Sequence, residues 1–509
     1  MDTRRLLRTF GTLLGTAGLL ISGCSSGSST TSASSSAPAA PTELLPYYTQ
    51  HLTWRDCGVS GFQCATMKAP LDYAKPGAGD IKLAVSRKKA TGPGKRIGSL
   101  LVNPGGPGGS AIGYLQSYAA AGYPAPVRAR YDMVAVDPRG VARSEPVECL
   151  TGPQMDAYTQ VDQTPDDTAE VTQLSDSFQK FADGCEQRSG KILPHVSTVE
   201  AARDMDILRS LLGDEKLTYV GASYGTFLGA TYAELFPART GRLVLDGAMD
   251  PSLSSIEMNR DQTAGFETAF QSFAADCVKK SDCPLGTTST ADAATHLEQL
   301  FADLDAKSIP TGETRKLGES LATMGVVAAM YDESSWPQLR EAIAGAQRGN
   351  GSGLLALADS YYERQANGKY ANLMAANAAV NCLDSPPAFT GPSAVMQALP
   401  SFEKASPVFG KPLAWASLNC ADWPVGATGA PHSIKAKGAS PIVVVGTTRD
   451  PATPYKWAQS LAGQLSSGRL LTYEGDGHTA YGRGSDCIDS AINRYLLDGT
   501  PPAADKRCS

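Results

Sequence analysis

Nine residues, Leu217-Thr-Tyr-Val-Gly-Ala-Ser-Tyr-Gly225, constrain this protein more than any other stretch. Leu217 to Val220 are rich in strand formers and read as a short buried strand. Gly221-Ala-Ser-Tyr-Gly225 fits Gly-x-Ser-x-Gly, and Thr226 to Leu235 reads as a helix stopped by Phe236-Pro237. A strand that turns sharply into a helix forces its middle residue into a strained backbone, so small residues must flank it. The Ser223 hydroxyl then stands clear of the sheet edge, over a helix N-terminus that favours negative charge. The five-residue pattern alone would be weak. With a strand before it and a helix after it, Ser223 becomes a candidate nucleophile.

The rest of the sequence bounds where such a serine works. A length of 509 residues exceeds one small core, so a large domain with an insertion is expected. A net charge of -6 argues against a nucleic-acid partner. Arg4, Arg5 and Arg8 precede an apolar run from Leu13 to Ile21 that is too short for a mature membrane span, so residues 1–23 read as a signal peptide. Leu20-Ile-Ser-Gly-Cys24 resembles a lipobox, which implies lipidation of Cys24 and a membrane anchor on the extracellular face, with shedding as a second fate. Residues 24–44 form a Ser/Thr/Ala/Pro tether with almost nothing to bury. The cysteine count is 11, and setting Cys24 aside leaves ten for disulfides in an oxidising space. Proximity in sequence suggests Cys57–Cys64, Cys149–Cys185, Cys277–Cys283, Cys382–Cys420 and Cys487–Cys508. No Cys-x-x-Cys pair occurs, so neither a metal nor another cofactor is expected.

Residues 45–249 alternate strands and helices. Ala65–Tyr73, Ile81–Ser86, Ile97–Val102, Tyr131–Val136 and Arg242–Leu245 read as strands, and Thr198 reads as the N-cap of a helix through Leu212. This alternation marks an α/β fold with a mostly parallel sheet covered on both faces. Residues 250–432 change texture to helices: Ile256–Val278, Thr290–Ala306, Glu319–Tyr331, Ser335–Gln347 and Leu354–Asn367. They read as a helical cap over the mouth of the sheet. Residues 433–509 return to the sheet with Pro441–Val445 and Leu470–Tyr473, then a helix over Cys487–Leu497.

A serine hydroxyl needs a base, and the base needs an acid to orient it. On a fold with this elbow the order in sequence is serine, acid, histidine. That order removes His51 and His195. His296 falls in an amphipathic helix and His432 in a Pro/Gly-rich junction. His478 hangs from a glycine-loosened loop after the last strand and is the candidate base. Asp450 ends the preceding strand and is the candidate acid, with Asp246 as runner-up. Thr453 bonds Asp450 or lines the pocket, or else is a turn threonine. The run Asn103-Pro-Gly-Gly-Pro-Gly-Gly-Ser110 follows a strand and lets amides approach a ligand. Its Gly105, or as second choice Gly106, pairs with Tyr224 as an oxyanion hole. Asp137 and Arg139 read as bracing residues beside the elbow.

These pieces together resemble the tripeptidyl aminopeptidase group of α/β-hydrolase serine peptidases, including cell-envelope serine hydrolases of mycobacteria. The resemblance rests on Cys64-Ala-Thr-Met-Lys-Ala-Pro-Leu-Asp-Tyr73, Asn103-Pro-Gly-Gly-Pro-Gly109, Asp137-Pro-Arg-Gly140, Gly221-Ala-Ser-Tyr-Gly225, Asn381-Cys-Leu-Asp384, Asp450-Pro-Ala-Thr-Pro454 and Gly477-His478. It implies the α/β-hydrolase fold, the triad Ser223, Asp450 and His478, peptide or protein substrates, and a cap that selects peptides by a free N-terminus. Val141-Ala142 departs from the pattern, where relatives often carry a second glycine. A buried carboxylate at a fixed distance from Ser223 would let such an enzyme count residues from the substrate ammonium. Asp384, beside Cys382, is one candidate for it, and a surface role is the other reading. A carboxylesterase or lipase with the same triad is the alternative activity.

Overall fold

The computed structural model describes residues 41–509. The signal peptide, Cys24 and the tether up to residue 40 lie outside the described residues. The end expected of the tether is ordered: Thr42–Leu44 is a 3-10 turn that runs into a short helix over Leu45–Tyr48.

Ten strands make one sheet. They are β1 (Arg55–Asp56), β2 (Gln63–Pro70), β3 (Asp80–Lys88), β4 (Gly98–Asn103), β5 (Tyr131–Val136), β6 (Leu217–Ala222) and β7 (Thr240–Asp246), followed after the cap by β10 (Ile442–Arg449), β11 (Gly468–Asp476) and β12 (Lys506–Cys508). Two short strands, β8 (Ile309–Pro310) and β9 (Lys316–Leu317), form a separate hairpin inside the cap region, where helices alone were expected. The sheet order is β1-β2-β3-β5-β4-β6-β7-β10-β11-β12. Pairing is antiparallel from β1 to β5 across β2 and β3, and parallel from β5 onward. β12 was not legible, because three residues near the C-terminus carry no period.

Both faces of the parallel part are buried, which is why its strands read as continuous apolar runs. In β10, Ile442 and Val444 pack on one face with Leu243, Leu245 and Leu101. Val443 and Val445 pack on the other with Val220, Val244 and Val102. Between β7 and β10 the cap builds its own core around Phe266, Phe270, Phe273, Leu321, Leu339 and Ile343. Cap helices occur at Ser255–Cys277, Thr290–Ala306, Glu319–Met330, Trp336–Gln347, Ser352–Tyr361, Leu373–Asp384, Pro392–Ala405 and Gly410–Ala416. The helix expected to reach Asn367 stops at Tyr361, because Glu363 takes a φ of +52° and the backbone turns back to pair Arg364 with Tyr370. A long helix over Thr168–Ser189 had no counterpart among the expected elements. Its Leu174 and Phe178 pack against Phe389, Phe402 and Trp415 of the cap.

All five expected disulfides form: Cys57–Cys64, Cys149–Cys185, Cys277–Cys283, Cys382–Cys420 and Cys487–Cys508. The N-cap of the helix over Thr198–Leu211 is Ser197, whose hydroxyl accepts from the Glu200 amide; Thr198 is its first helical residue. Thr198 spends its hydroxyl elsewhere, at the candidate site. Among the described residues no helix is long and apolar enough to cross a membrane.

Candidate active site

Ser223 stands between β6 and the helix over Tyr224–Leu235 with φ +56° and ψ -126°. A serine persists there only when its surroundings over-determine it. Its amide donates to Asp246 O at 2.9 Å, and its carbonyl accepts from the Thr226 amide at 2.8 Å and the Thr226 hydroxyl at 2.6 Å. A Cβ on Gly221 would lie 2.3 Å from Gly225 O, and one on Gly225 would lie 2.9 Å from Asn103 O. The flanking glycines therefore allow strand and helix to close on each other.

Asp450 follows β10 and His478 follows β11, so parallel pairing of the two strands brings both to the same end of the sheet. His478 Nδ1 lies 2.8 and 2.9 Å from the two Asp450 oxygens. The Ala452 and Thr453 amides donate to Asp450 Oδ1 at 2.9 and 2.8 Å, and the Thr479 amide to Oδ2 at 3.3 Å. Charge-assisted bonds of this kind fix the carboxylate and, through it, the ring. His478 Nε2 is buried and makes no hydrogen bond. The loop after β7 adjoins both serine and histidine, and no hydrogen bond joins Ser223 to His478. Ser223 bonds the carbonyl of Asp246, and a Cβ on the next residue, Gly247, would meet His478 Cε1 at 3.1 Å.

Asp246 is not the orienting acid. Its buried carboxylate accepts from the Ala480 and Tyr481 amides at 2.9–3.1 Å and makes no bond to His478. Burial raises its pKa. It anchors the loop that carries the histidine. Thr453 fills both roles left open for it. It braces Asp450 through its amide, its hydroxyl lies 3.3 Å from His478 Nδ1, and it lines the cavity beside Ser223.

The glycine loop corrects one expectation. Gly105 has φ +94°, and a Cβ there would meet Ala222 O at 2.5 Å, the Tyr224 amide nitrogen at 2.8 Å and Ser223 Cβ at 2.9 Å. Gly105 is thus what lets the loop touch the elbow. Its own amide, however, donates to Asn103 Oδ1 at 2.8 Å, so it is not available to an oxyanion. The Gly106 amide makes no hydrogen bond to a described residue, and Gly106 lines the cavity with Ser223 and Tyr224. Asp137 braces this loop by accepting from the Ser110 hydroxyl and the Ile112 amide, and Arg139 is locked on Asp204.

The cap closes over these groups. The Tyr331 carbonyl accepts the His478 amide at 2.9 Å, and the Tyr331 ring stands edge-on to the imidazole. Asp384, the last residue of its helix, accepts from the Thr198 amide at 2.8 Å and from the Thr198 hydroxyl, which also meets the Tyr224 hydroxyl. It lines the same cavity as Ser223, about 270 Å³ in volume. Burial pushes its carboxyl up to about 7. Neither Tyr331 nor the link between Thr198 and Asp384 carried a sequence signal. Three other histidines are engaged elsewhere: His195 lies near Glu200, His296 bonds Leu285 O and His432 bonds Glu234. Asp476, two residues before His478, is held by Arg449.

The model of a family described as TAP-like protein matches residues 406–508. Serine protease Hip1 of Mycobacterium tuberculosis is 38% identical over 489 residues, which cover 91% of this protein and 92% of the relative. Carboxylesterase B of the same organism is 39% identical over 486 residues, 92% of each protein. Tripeptidyl aminopeptidase of Streptomyces lividans is 32% identical over 472 residues, 90% of this protein and 86% of the relative. With identities of this size over nearly the whole length, the protein belongs to the TAP-like family of α/β-hydrolases and is a serine hydrolase.

Proposed function

We propose that this enzyme removes short peptides from free N-termini through an acyl-enzyme on Ser223. The observation that carries the reading is the capped cavity itself, which Ser223, Gly106 and Tyr224 share with Asp384. Among the described residues no cation bonds Asp384, and it sits at a helix C-terminus, whose carbonyls also favour positive charge. A substrate ammonium supplies the missing countercharge in a desolvated place, where such a pair is strong.

The chemistry follows from the atoms. Ser223 Oγ attacks the scissile carbonyl as His478 Nε2 takes its proton. Asp450 holds Nδ1–H and stabilises the imidazolium. The Gly106 and Tyr224 amides receive the oxyanion, at roughly 3–4 kcal/mol each in the transition state. His478 returns the proton to the leaving amine, and water, activated by the same nitrogen, then clears the acyl group.

One relative is named a carboxylesterase, and the triad serves an ester equally well. A free-amine tripeptide amide, its N-acetylated twin and a short acyl ester separate the readings, with Ser223→Ala as the control. Turnover of the free-amine peptide alone supports the exopeptidase. Equal turnover of the blocked peptide means an endopeptidase, and turnover of the ester alone means an esterase. The lipobox and the five disulfides support an exported enzyme anchored through Cys24. Cys24→Ser should move it from the membrane fraction to the medium, and unchanged membrane association would refute the anchor.

A further inference from the structure

Two voids lie beside the reacting groups, one lined by Ser223 and the other by His478. The cavity under the cap holds Ser223 and both oxyanion amides. A wider cleft, about 980 Å³, lies on the other side and is lined by His478 and Ala222. Tyr331 lines both. Its ring centroid is 5.5 Å from that of His478, so it stands beside the base where the two voids approach each other.

The second cleft has an aromatic floor. Tyr114, Tyr118 and Tyr123 follow the glycine loop, with ring centroids 5.5–6.4 Å apart, and Tyr481 stacks 4.9 Å from Tyr123. Tyr118 is the exposed member at 37%, and its hydroxyl donates to Gly482 O at 3.1 Å. Most charges lining this cleft are in ion pairs, whereas among the described residues Glu333 forms none and Asp246 is held by backbone amides. Arg483 pairs with Asp332, Lys280 and Arg340 pair with Asp276, and Asp476 pairs with Arg449. Beside these charges the exposed tyrosine face offers area to an aromatic ligand.

We propose that this cleft receives the leaving half of the substrate, the segment that follows the scissile bond. Tyr118 and Tyr114 bind an aromatic or large apolar side group on its first residue. The assignment rests on the acyl-enzyme reading above, and the path of the proton fixes the side. His478 Nε2 takes the proton of Ser223 Oγ as the bond to the acyl carbon forms. It hands that proton to the amine nitrogen as the C–N bond breaks, so the leaving nitrogen must lie on the His478 side. An amine that attacks the acyl-enzyme enters by the same route in reverse.

The test reads that reverse step. The full-length enzyme is acylated with tri-alanine methyl ester in the presence of phenylalaninamide or glycinamide, and tetrapeptide amide is measured against free tripeptide. This partition is set after acylation, so it does not depend on how fast the ester reacts. Phenylalaninamide should out-compete glycinamide roughly five- to ten-fold, in keeping with the worth of an aromatic pair. Tyr118→Ala should bring the ratio to about one. Tyr118→Phe, which keeps the ring and loses the bond to Gly482, should retain it. Equal partition in the parent enzyme, a preference that survives Tyr118→Ala, or a Phe variant that behaves like Ala would each overturn the proposal. If the tripeptide ester is inert while a short acyl ester turns over, the peptidase reading fails instead. The same competition is then run on that acyl-enzyme.

Discussion

One methyl group at Gly105 would displace the glycine loop. With φ +94° and three elbow atoms inside 3.0 Å of an added Cβ, Gly105→Ala must push the loop off Ser223 and carry the Gly106 amide with it. We expect kcat to fall by about two to three orders of magnitude, the worth of one oxyanion donor, with KM little changed. Asp450→Asn keeps the shape and lets the histidine take the wrong tautomer, and kcat should fall about 10⁴-fold. Steady-state kinetics on the best of the three substrates checks both. Ala142 has φ +46°. Ala142→Gly relieves a left-handed alanine and should stabilise the fold by about 1 kcal/mol in urea unfolding. The candidate triad could be picked out because each member follows a strand of strong β-formers in a fixed sequence order. The oxyanion donor could not, because which glycine amide is spent on Asn103 depends on successive backbone angles that a run of glycines leaves open.

The cap helices show the same division. Thr290–Ala306 was legible to the residue because its apolar positions recur at helical spacing and it ends in no ambiguity. The helix over Pro392–Ala405 was not, since Pro392 opens it and Pro400 interrupts the pattern. The helix over Thr168–Ser189 is mostly polar, and its partners Phe389, Phe402 and Trp415 lie far away in sequence. The end of the Leu373–Asp384 helix carries the pH prediction. Burial lifts Asp384 from 3.8 to about 7, so the folded state binds a proton that the unfolded state has released. Its stabilising contribution is full below about pH 4 and is lost as pH rises through about 7. Ammonium binding needs the ionised form and runs the other way. KM for the free-amine peptide should therefore rise as pH falls below 7, while the acyl ester shows no such arm. Asp384→Asn, which keeps an oxygen for the Thr198 amide, should abolish the arm in a KM–pH profile. A profile unchanged by the substitution would remove Asp384 from substrate binding.

Across the whole molecule, no disulfide among the described residues joins cap to sheet domain. Cys277–Cys283 and Cys382–Cys420 lie within the cap, and the other three lie within the sheet domain. The two parts dock through shared apolar packing, with Ala379, Val380 and Leu383 in the main core and Leu174 and Phe178 against Phe389, Phe402 and Trp415, and through polar contacts: Asn372 to Gly140 O, Asn377 to Pro107 O, Arg364 to Asp156, His478 to Tyr331 O and Thr198 to Asp384. The bridges therefore harden each part and leave the docking between them to non-covalent contacts. Two bridges make a controlled comparison, since Cys149–Cys185 and Cys382–Cys420 span 36 and 38 residues. Loop-closure entropy assigns each nearly the same stabilisation, about 4 kcal/mol as an upper value, so replacing either pair by alanine should lower stability alike. Their kinetic effects should differ. Cys382 sits two residues before Asp384 and ties that helix end to Cys420, whereas Cys149–Cys185 bears on no residue of the triad. Removal of Cys382–Cys420 should raise KM for the free-amine tripeptide and spare the acyl ester, and removal of Cys149–Cys185 should change neither. Urea unfolding and paired kinetics on the two double-alanine variants measure both quantities. Equal kinetics in the two variants would show that the position of Asp384 owes nothing to its bridge.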